Sequence, residues 1–401
     1  MTQDGNTPDG RPANRFERHP VLTALVLCGL LVLALLFVTE SMLAPDPAKA
    51  ARPGATVSLH QHRGLIVREW QPNRRHRFGT PSARRTGSDE PVKDWYALDM
   101  DPSGFIEPSF IHDRPDLEIA FVGGSTTECL YMEPEERFPY LAGRLIEQRT
   151  GLRINSLNAG KSGNTSMHSL IAYLGKIAPL KPRYAVLLNA LNDIGVLGSH
   201  GTYWNTDRTY GILRERERSA GRLFEDLRAV TFPYTFEVLA RGWKALKTLV
   251  QRGFAAGAQD AGTPPSGGAG NREPAFAAQY EASLRSFVRL VKAWGSAPVL
   301  MTQVLVLPGD AQGHPGLLSR EELERGKLDM PELYRLQLYA NVLIREVARQ
   351  EGALLVDLAN ARQWRNRADV YDGLHFTAMG SRRVAEIIAD ALLRDMERHP
   401  D

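Results

Sequence analysis

The stretch that decides the fold is Ile119 to Glu128, IAFVGGSTTE, in which a short apolar run ends at two glycines and three hydroxyl side chains. An apolar run that does not alternate and stops at a turn signal predicts a buried strand of a parallel sheet. Two chemistries can follow such a strand. Either the glycines bring main-chain N–H groups against a phosphate, or they let a tight turn expose Ser125 as a nucleophile. The phosphate alternative is disfavoured, because no Lys follows as in G-K-[ST] and no later glycine has the dinucleotide spacing.

Strands and helices alternate along the rest of the chain. Strands are predicted at residues 119–123, 153–157, 184–188, 298–304 and 353–358. Helices are predicted at residues 134–150, 166–174, 275–294, 332–350 and 378–397. This alternation predicts an α/β fold, with a parallel sheet of about five strands and helices on both faces.

We assign this fold to a domain over residues 116–398. Two inserts interrupt it, at about 199–274 and at 308–330. Residues 255–274 are dense in Gly and Pro, and we expect them to be flexible. Residues 40–115 are rich in Pro and Arg and are predicted to be a juxtamembrane connector.

An apolar segment without charge, Val21 to Val38, precedes the domain. As a helix it would be roughly 27 Å long, about the hydrocarbon thickness of a bilayer, so we predict a transmembrane signal-anchor over residues 21–39. A cleaved signal peptide ending near Ala48 to Ala50 is disfavoured, since the apolar run is longer than the usual ~7–15 residues. Arginines before the segment place the tail of residues 1–20 in the cytoplasm. The chain is thus predicted to be a single-pass protein of a bacterial inner membrane, with its large domain on the extracytoplasmic side.

Composition excludes two other classes of function. The formal net charge of +3 is small for 401 residues, so we expect no nucleic-acid partner. His, Cys and Asp residues show no ligand spacing, so no metal is predicted, and we expect no cofactor. The oligomeric state cannot be read from the sequence.

Polar residues follow the predicted strands at four places: Gly124-Ser125, Asn158 to Thr165, Asn189 to Asp193, and Asp372 to His375. A longer loop separates the last of these places from the final strand. In open α/β sheets ligands bind beyond the carboxyl ends of the strands, so we expect these places to meet at one edge.

Their side chains suit acyl transfer. A serine hydroxyl needs a base and an orienting carboxylate to become nucleophilic, and Ser125, His375 and Asp372 supply these three groups. The developing oxyanion needs donors, which the Gly163 N–H, the Asn192 side-chain amide and the Ser125 N–H would provide. For Gly163 an ordinary turn glycine is the alternative, and for Asn192 an Asx-type turn.

The four places, in this order, resemble the sequence blocks of the SGNH hydrolase superfamily, also called GDSL esterases and lipases. VGGSTTE is similar to the nucleophile block, NAGKSGNTS to the glycine block, Ala190 to Asp193 to the G-x-N-D block, and Asp372 to His375 to the D-x-x-H block. The resemblance covers roughly residues 117–395 apart from the inserts. Gly124 stands where the GDSL block has its acid, Thr126 replaces the leucine, and Ala190 replaces the glycine of G-x-N-D.

The resemblance implies a flavodoxin-like three-layer α/β/α fold. It also implies Ser125 as nucleophile, Gly163 and Asn192 as oxyanion donors, and an Asp372 and His375 pair. The expected function is a membrane-anchored serine ester hydrolase acting on an acylated glycan or lipid. Two alternatives stay open: an O-acyltransferase or deacetylase acting on envelope polysaccharide, and a non-catalytic glycan-binding scaffold.

Overall fold

The apolar run before the glycine turn is a strand of a parallel sheet in the computed structural model, which describes residues 20–43, 63–207, 210–215, 273–306 and 330–399. The strands in chain order are β1 (Arg63–Leu65), β2 (Arg75–Gly79), β3 (Trp95–Asp99), β4 (Leu117–Gly123), β5 (Ile154–Asn158), β6 (Tyr184–Leu188), β7 (Leu213–Glu215), β8 (Ala297–Met301) and β9 (Leu354–Val356). The α-helices are α1 (Pro20–Leu43), α2 (Ser82–Thr86), α3 (Ser125–Glu128), α4 (Phe138–Thr150), α5 (Ser166–Ala172), α6 (Leu191–His200), α7 (Glu273–Ala293), α8 (Met330–Glu351) and α9 (Ala378–Arg398).

The main sheet has five parallel strands in the order β5-β4-β6-β8-β9. Counted within the sheet, the order is 2-1-3-4-5, which is that of flavodoxin-like folds. The prediction of an α/β fold with a parallel sheet of about five strands is therefore confirmed. In this topology the carboxyl ends of β4, β5 and β6 lie side by side, and the loops that follow these strands meet there.

Helices cover both faces of the sheet. On one face, α4 and α9 bury apolar side chains against alternate residues of β4, including Ile119 and Phe121, in one continuous cluster. Helices α7 and α8 contact β8 and each other, and none of their residues belongs to that cluster, which places them on the other face. Because β4, β6 and β8 are buried between two layers, these strands are largely apolar without alternation.

Residues 63–115 also carry regular structure. Strands β2 and β3 pair antiparallel, and β1 pairs antiparallel with β7. The Ile106 N–H donates to the Asn158 carbonyl at 2.9 Å, which joins this region to the end of β5. The buried Arg137 guanidinium donates to the carbonyls of Glu107 and Ala97, both at 2.7 Å. By its internal contacts, one of the two units of the chain comprises residues 63–215 and 264–401.

Helix α1 belongs to a separate unit. Among the described residues, no helix is long and apolar enough to cross a membrane. Other predicted segments fall largely outside the described residues. The cytoplasmic tail of residues 1–19, residues 44–62 of the connector, residues 216–272 of the first insert with most of the glycine-rich part, and residues 308–329 of the second insert all lie outside them.

Candidate active site

The structure brings Ser125, His375 and Asp372 into one hydrogen-bonded chain. The Ser125 Oγ lies 2.7 Å from the His375 Nε2, and the His375 Nδ1 lies 2.7 Å from the Asp372 Oδ2. The other Asp372 oxygen accepts from the main-chain N–H groups of Leu374 and His375, at 3.1 and 2.8 Å. The carboxylate is thereby fixed by its own loop, and it fixes the imidazole that faces the serine.

The charges in this hydrogen-bonded chain favour protonation of His375, the base that faces Ser125. Burial would lower the pKa of His375, but the Asp372 carboxylate, with a smaller contribution from Glu128, raises that pKa above its ordinary value. Burial would raise the pKa of Asp372, yet the neighbouring imidazole and two N–H donors hold the pKa below its ordinary value. Asp372 therefore stays ionised and stabilises an imidazolium, as a general base after a serine requires.

The glycine before the nucleophile allows a close approach between two loops. Gly124 precedes the first residue of α3, and a Cβ added there would lie 2.6 Å from the Asn192 Nδ2 and 3.2 Å from the Asn164 carbonyl oxygen. Any side chain at position 124 would push the Asn192 amide away from the nucleophile turn. This contact accounts for the glycine where the GDSL block has an acid.

The predicted oxyanion donors lie at the same edge. Gly163 has a φ of +80°, a left-handed conformation that favours glycine. Among the described residues, nothing accepts a hydrogen bond from its N–H. Asn192 lies in the first turn of α6 and donates one amide hydrogen to the Asn164 carbonyl at 2.9 Å, which leaves its second amide hydrogen for a ligand.

One cavity of about 360 Å³ joins all five predicted residues: Ser125, Gly163, Asn192, Asp372 and His375. Three tyrosines also line it, Tyr131, Tyr210 and Tyr371. Tyr371 stacks on the His375 ring, with ring centroids 5.6 Å apart. A larger cavity, of about 780 Å³, opens at the amino ends of the strands and contains none of these residues. Among the described residues, no group of His, Cys, Asp or Glu side chains is placed to hold a metal ion.

Sequence reasoning did not identify two charged residues beside this site, Glu128 and Arg68. Glu128 ends the short helix α3 and is fully buried, and burial raises its pKa. Arg68 precedes the main sheet in the chain, yet its guanidinium faces Gly163. The sequence signal for Glu128 was an acid three residues after the nucleophile, whereas the sequence holds no signal for Arg68.

Comparison with known proteins gave matches only among solved structures. No protein-family model matched the chain, and no curated protein matched it. The acetylxylan esterase Axe2 from Geobacillus stearothermophilus is 17% identical, with a TM-score of 0.37 over 70% of this chain and 94% of that chain. LAE5, an α/β hydrolase enzyme from the metagenome of Lake Arreo in Spain, is 16% identical, with a TM-score of 0.38 over the same shares of the two chains. Likeness at this level assigns neither a family nor an activity.

Proposed function

We propose that the protein is an ester hydrolase of the SGNH type, with Ser125 as nucleophile. The observation that carries the proposal is the hydrogen-bonded chain from Ser125 through His375 to Asp372, which lines the same cavity as Gly163 and Asn192. The four sequence blocks that resemble the SGNH superfamily support it independently. We leave the substrate within the class of acylated glycans and lipids.

The reaction follows from the geometry. The Ser125 Oγ attacks the acyl carbonyl carbon while the His375 Nε2 takes the hydroxyl proton. The oxyanion then faces the N–H groups of Ser125 and Gly163 and the Asn192 amide. When the C–O bond to the alcohol breaks, His375 returns the proton to the leaving oxygen. Water attacks the acyl-enzyme with the same base, and the acid is released from a regenerated Ser125.

The test is hydrolysis of p-nitrophenyl acetate by the full chain in detergent. Ser125→Ala and His375→Ala should each lower kcat/KM by about 1,000-fold or more, because each removes a member of the triad. Ser199→Ala is the matched control, since the Ser199 Oγ bonds main-chain oxygens of α6 and does not line the cavity. Undiminished turnover in either triad variant would refute the proposal.

We further propose that residues 21–39 anchor the protein in a bacterial inner membrane, with the hydrolase domain on the extracytoplasmic side. The proposal rests on the sequence alone, on the uncharged apolar run from Val21 to Val38, since no described helix meets the length and apolarity of a membrane span. The chain should then stay with membranes through an alkaline carbonate wash, while a chain that begins at Arg63 should be released. Release of the full chain by the wash would exclude the anchor.

A further inference from the structure

The peptide bond between Ser162 and Gly163 carries one of the proposed oxyanion donors. Its N–H belongs to Gly163, and its carbonyl oxygen belongs to Ser162. That carbonyl accepts a hydrogen bond from the Arg68 Nη2 at 2.9 Å. The guanidinium lies against the glycine, because a Cβ at position 163 would meet the Arg68 Nη1 and Nη2 at 2.8 and 2.9 Å. A cation therefore holds the end of this peptide opposite the donor.

This contact has a direct physical consequence for the N–H. A trans peptide is planar, and its C=O and N–H point in opposite directions, so a bond that fixes the oxygen also fixes the direction of the N–H. A charged donor on the carbonyl also polarises the peptide and strengthens the N–H as a donor. Arg68 can thus both aim and strengthen the Gly163 N–H without touching the substrate.

The same loop is held from its other side by Glu128. The Ser162 Oγ donates to the Glu128 Oε2, and Glu128 ends the helix α3 that begins at Ser125. The carboxylate therefore links the loop that carries the Gly163 N–H to helix α3, the nucleophile helix that begins at Ser125. In this way Ser162 is bound through its carbonyl to a cation and through its hydroxyl to an acid.

Stability does not account for these two charges. The Arg68 Nη1 and the Glu128 Oε1 are both buried and have no hydrogen-bond partner. Burial lowers the pKa of Arg68 and raises the pKa of Glu128. Keeping either group charged at this position therefore costs free energy. Buried charges that are only partly satisfied destabilise a fold relative to apolar residues of the same shape.

We propose that Arg68 and Glu128 are positioning residues that hold the Ser162–Gly163 peptide in the orientation that oxyanion binding requires. The inference rests on the proposed esterase function and assigns that site two further residues, Arg68 outside the four sequence blocks and Glu128 at the end of the nucleophile block. It predicts a loss in kcat with KM little changed, because the two residues act on the donor and leave the cavity that holds the ester intact.

The experiment compares variants of the full chain in detergent with p-nitrophenyl acetate as substrate. Arg68→Ala should lower kcat on the order of 100-fold, near the effect of removing one oxyanion donor, and Arg68→Lys should lose less. Millimolar guanidinium chloride should restore part of the Arg68→Ala activity, whereas equal NaCl should not. Glu128→Gln keeps an acceptor for Ser162 and should retain more of the wild-type kcat than Glu128→Ala, which removes the acceptor.

Arg183→Ala is the matched control, because the Arg183 Nη2 also donates to a main-chain carbonyl, that of His399 at 2.7 Å, beside the other cavity. Its kcat should be unchanged. If the wild type and this control cleave no ester, the esterase function fails. If both cleave it and Arg68→Ala folds but keeps its kcat within twofold, the positioning role is overturned. If Arg68→Ala misfolds, Arg68→Lys takes its place, and an unchanged kcat in that variant overturns the role.

Discussion

Two buried aspartates of the same domain have pKa values that move in opposite directions. Asp372 lies beside an imidazole, which holds its pKa below the ordinary value. Asp193 is fully buried, its side-chain donors among the described residues are the neutral Ser166 and Tyr203, and burial raises its pKa to about 6. Neutral donors therefore offset less of the cost of burial than a neighbouring charge does.

Asp193 should make the stability of the domain fall as the pH rises. The native state holds the Asp193 proton up to about pH 6, while the unfolded chain releases it near 3.8, so unfolding releases a proton within this window. The free energy of unfolding should fall by up to about 3 kcal/mol across the window from this residue alone. Asp193→Asn removes the ionisation and should remove that part of the fall, which urea unfolding at a series of pH values measures.

Asp357→Asn is the control of opposite sign. Burial would raise the pKa of Asp357, but the Arg345 guanidinium lowers it below its ordinary value. The contribution of Asp357 to the free energy of unfolding is therefore fully present above its ordinary pKa. It is lost as the pH falls below that value and through the lowered pKa of the folded state. The wild type and this variant should keep a constant stability difference within the Asp193 window. A constant difference between wild type and Asp193→Asn in that window would contradict the assignment.

At the scale of elements, the sequence predicts the main sheet well because β4, β6, β8 and β9 are largely apolar runs that end at a polar or glycine signal. Strand β5, INSLN, is the exception. Strand β6 has the predicted bounds, Tyr184–Leu188, and β4 and β5 differ from theirs by two residues or fewer. Helix α6 was not predicted. It begins at Leu191, within the Asn189 to Asp193 stretch that follows the third predicted strand, and its N-cap Ala190 supplies no side-chain cap.

The five predicted residues of the candidate site lie together in the structure. Parallel strands deliver the residues after them to one edge, and the structure places Ser125, Gly163, Asn192, Asp372 and His375 in one cavity there. Arg68 could not be predicted, because it lies after β1 and reaches the site only through tertiary packing. Local patterns carry no information on such a contact.

For the whole molecule, residues 63–115 are a structural part of the domain that carries the site. Leu98, Met100 and Ile106 form a buried cluster against which Leu130 packs, close to the nucleophile helix. Asp101 accepts from the N–H of Phe105 and from the hydroxyl of Ser109, at 2.9 and 2.8 Å, and thereby shapes the loop that leads to β4.

A chain that begins at Arg63 should fold cooperatively, whereas one that begins at Asp116 should not. The shorter chain lacks Leu98, Met100 and Ile106, so it loses this buried apolar cluster and the surface against which Leu130 packs. Burial of each such side chain contributes about 1.5–3 kcal/mol, a large share of the ~5–15 kcal/mol that stabilises a domain. Thermal unfolding followed by circular dichroism should show a sharp transition only for the longer chain. Equal midpoints for the two chains would show that residues 63–115 contribute nothing to the fold.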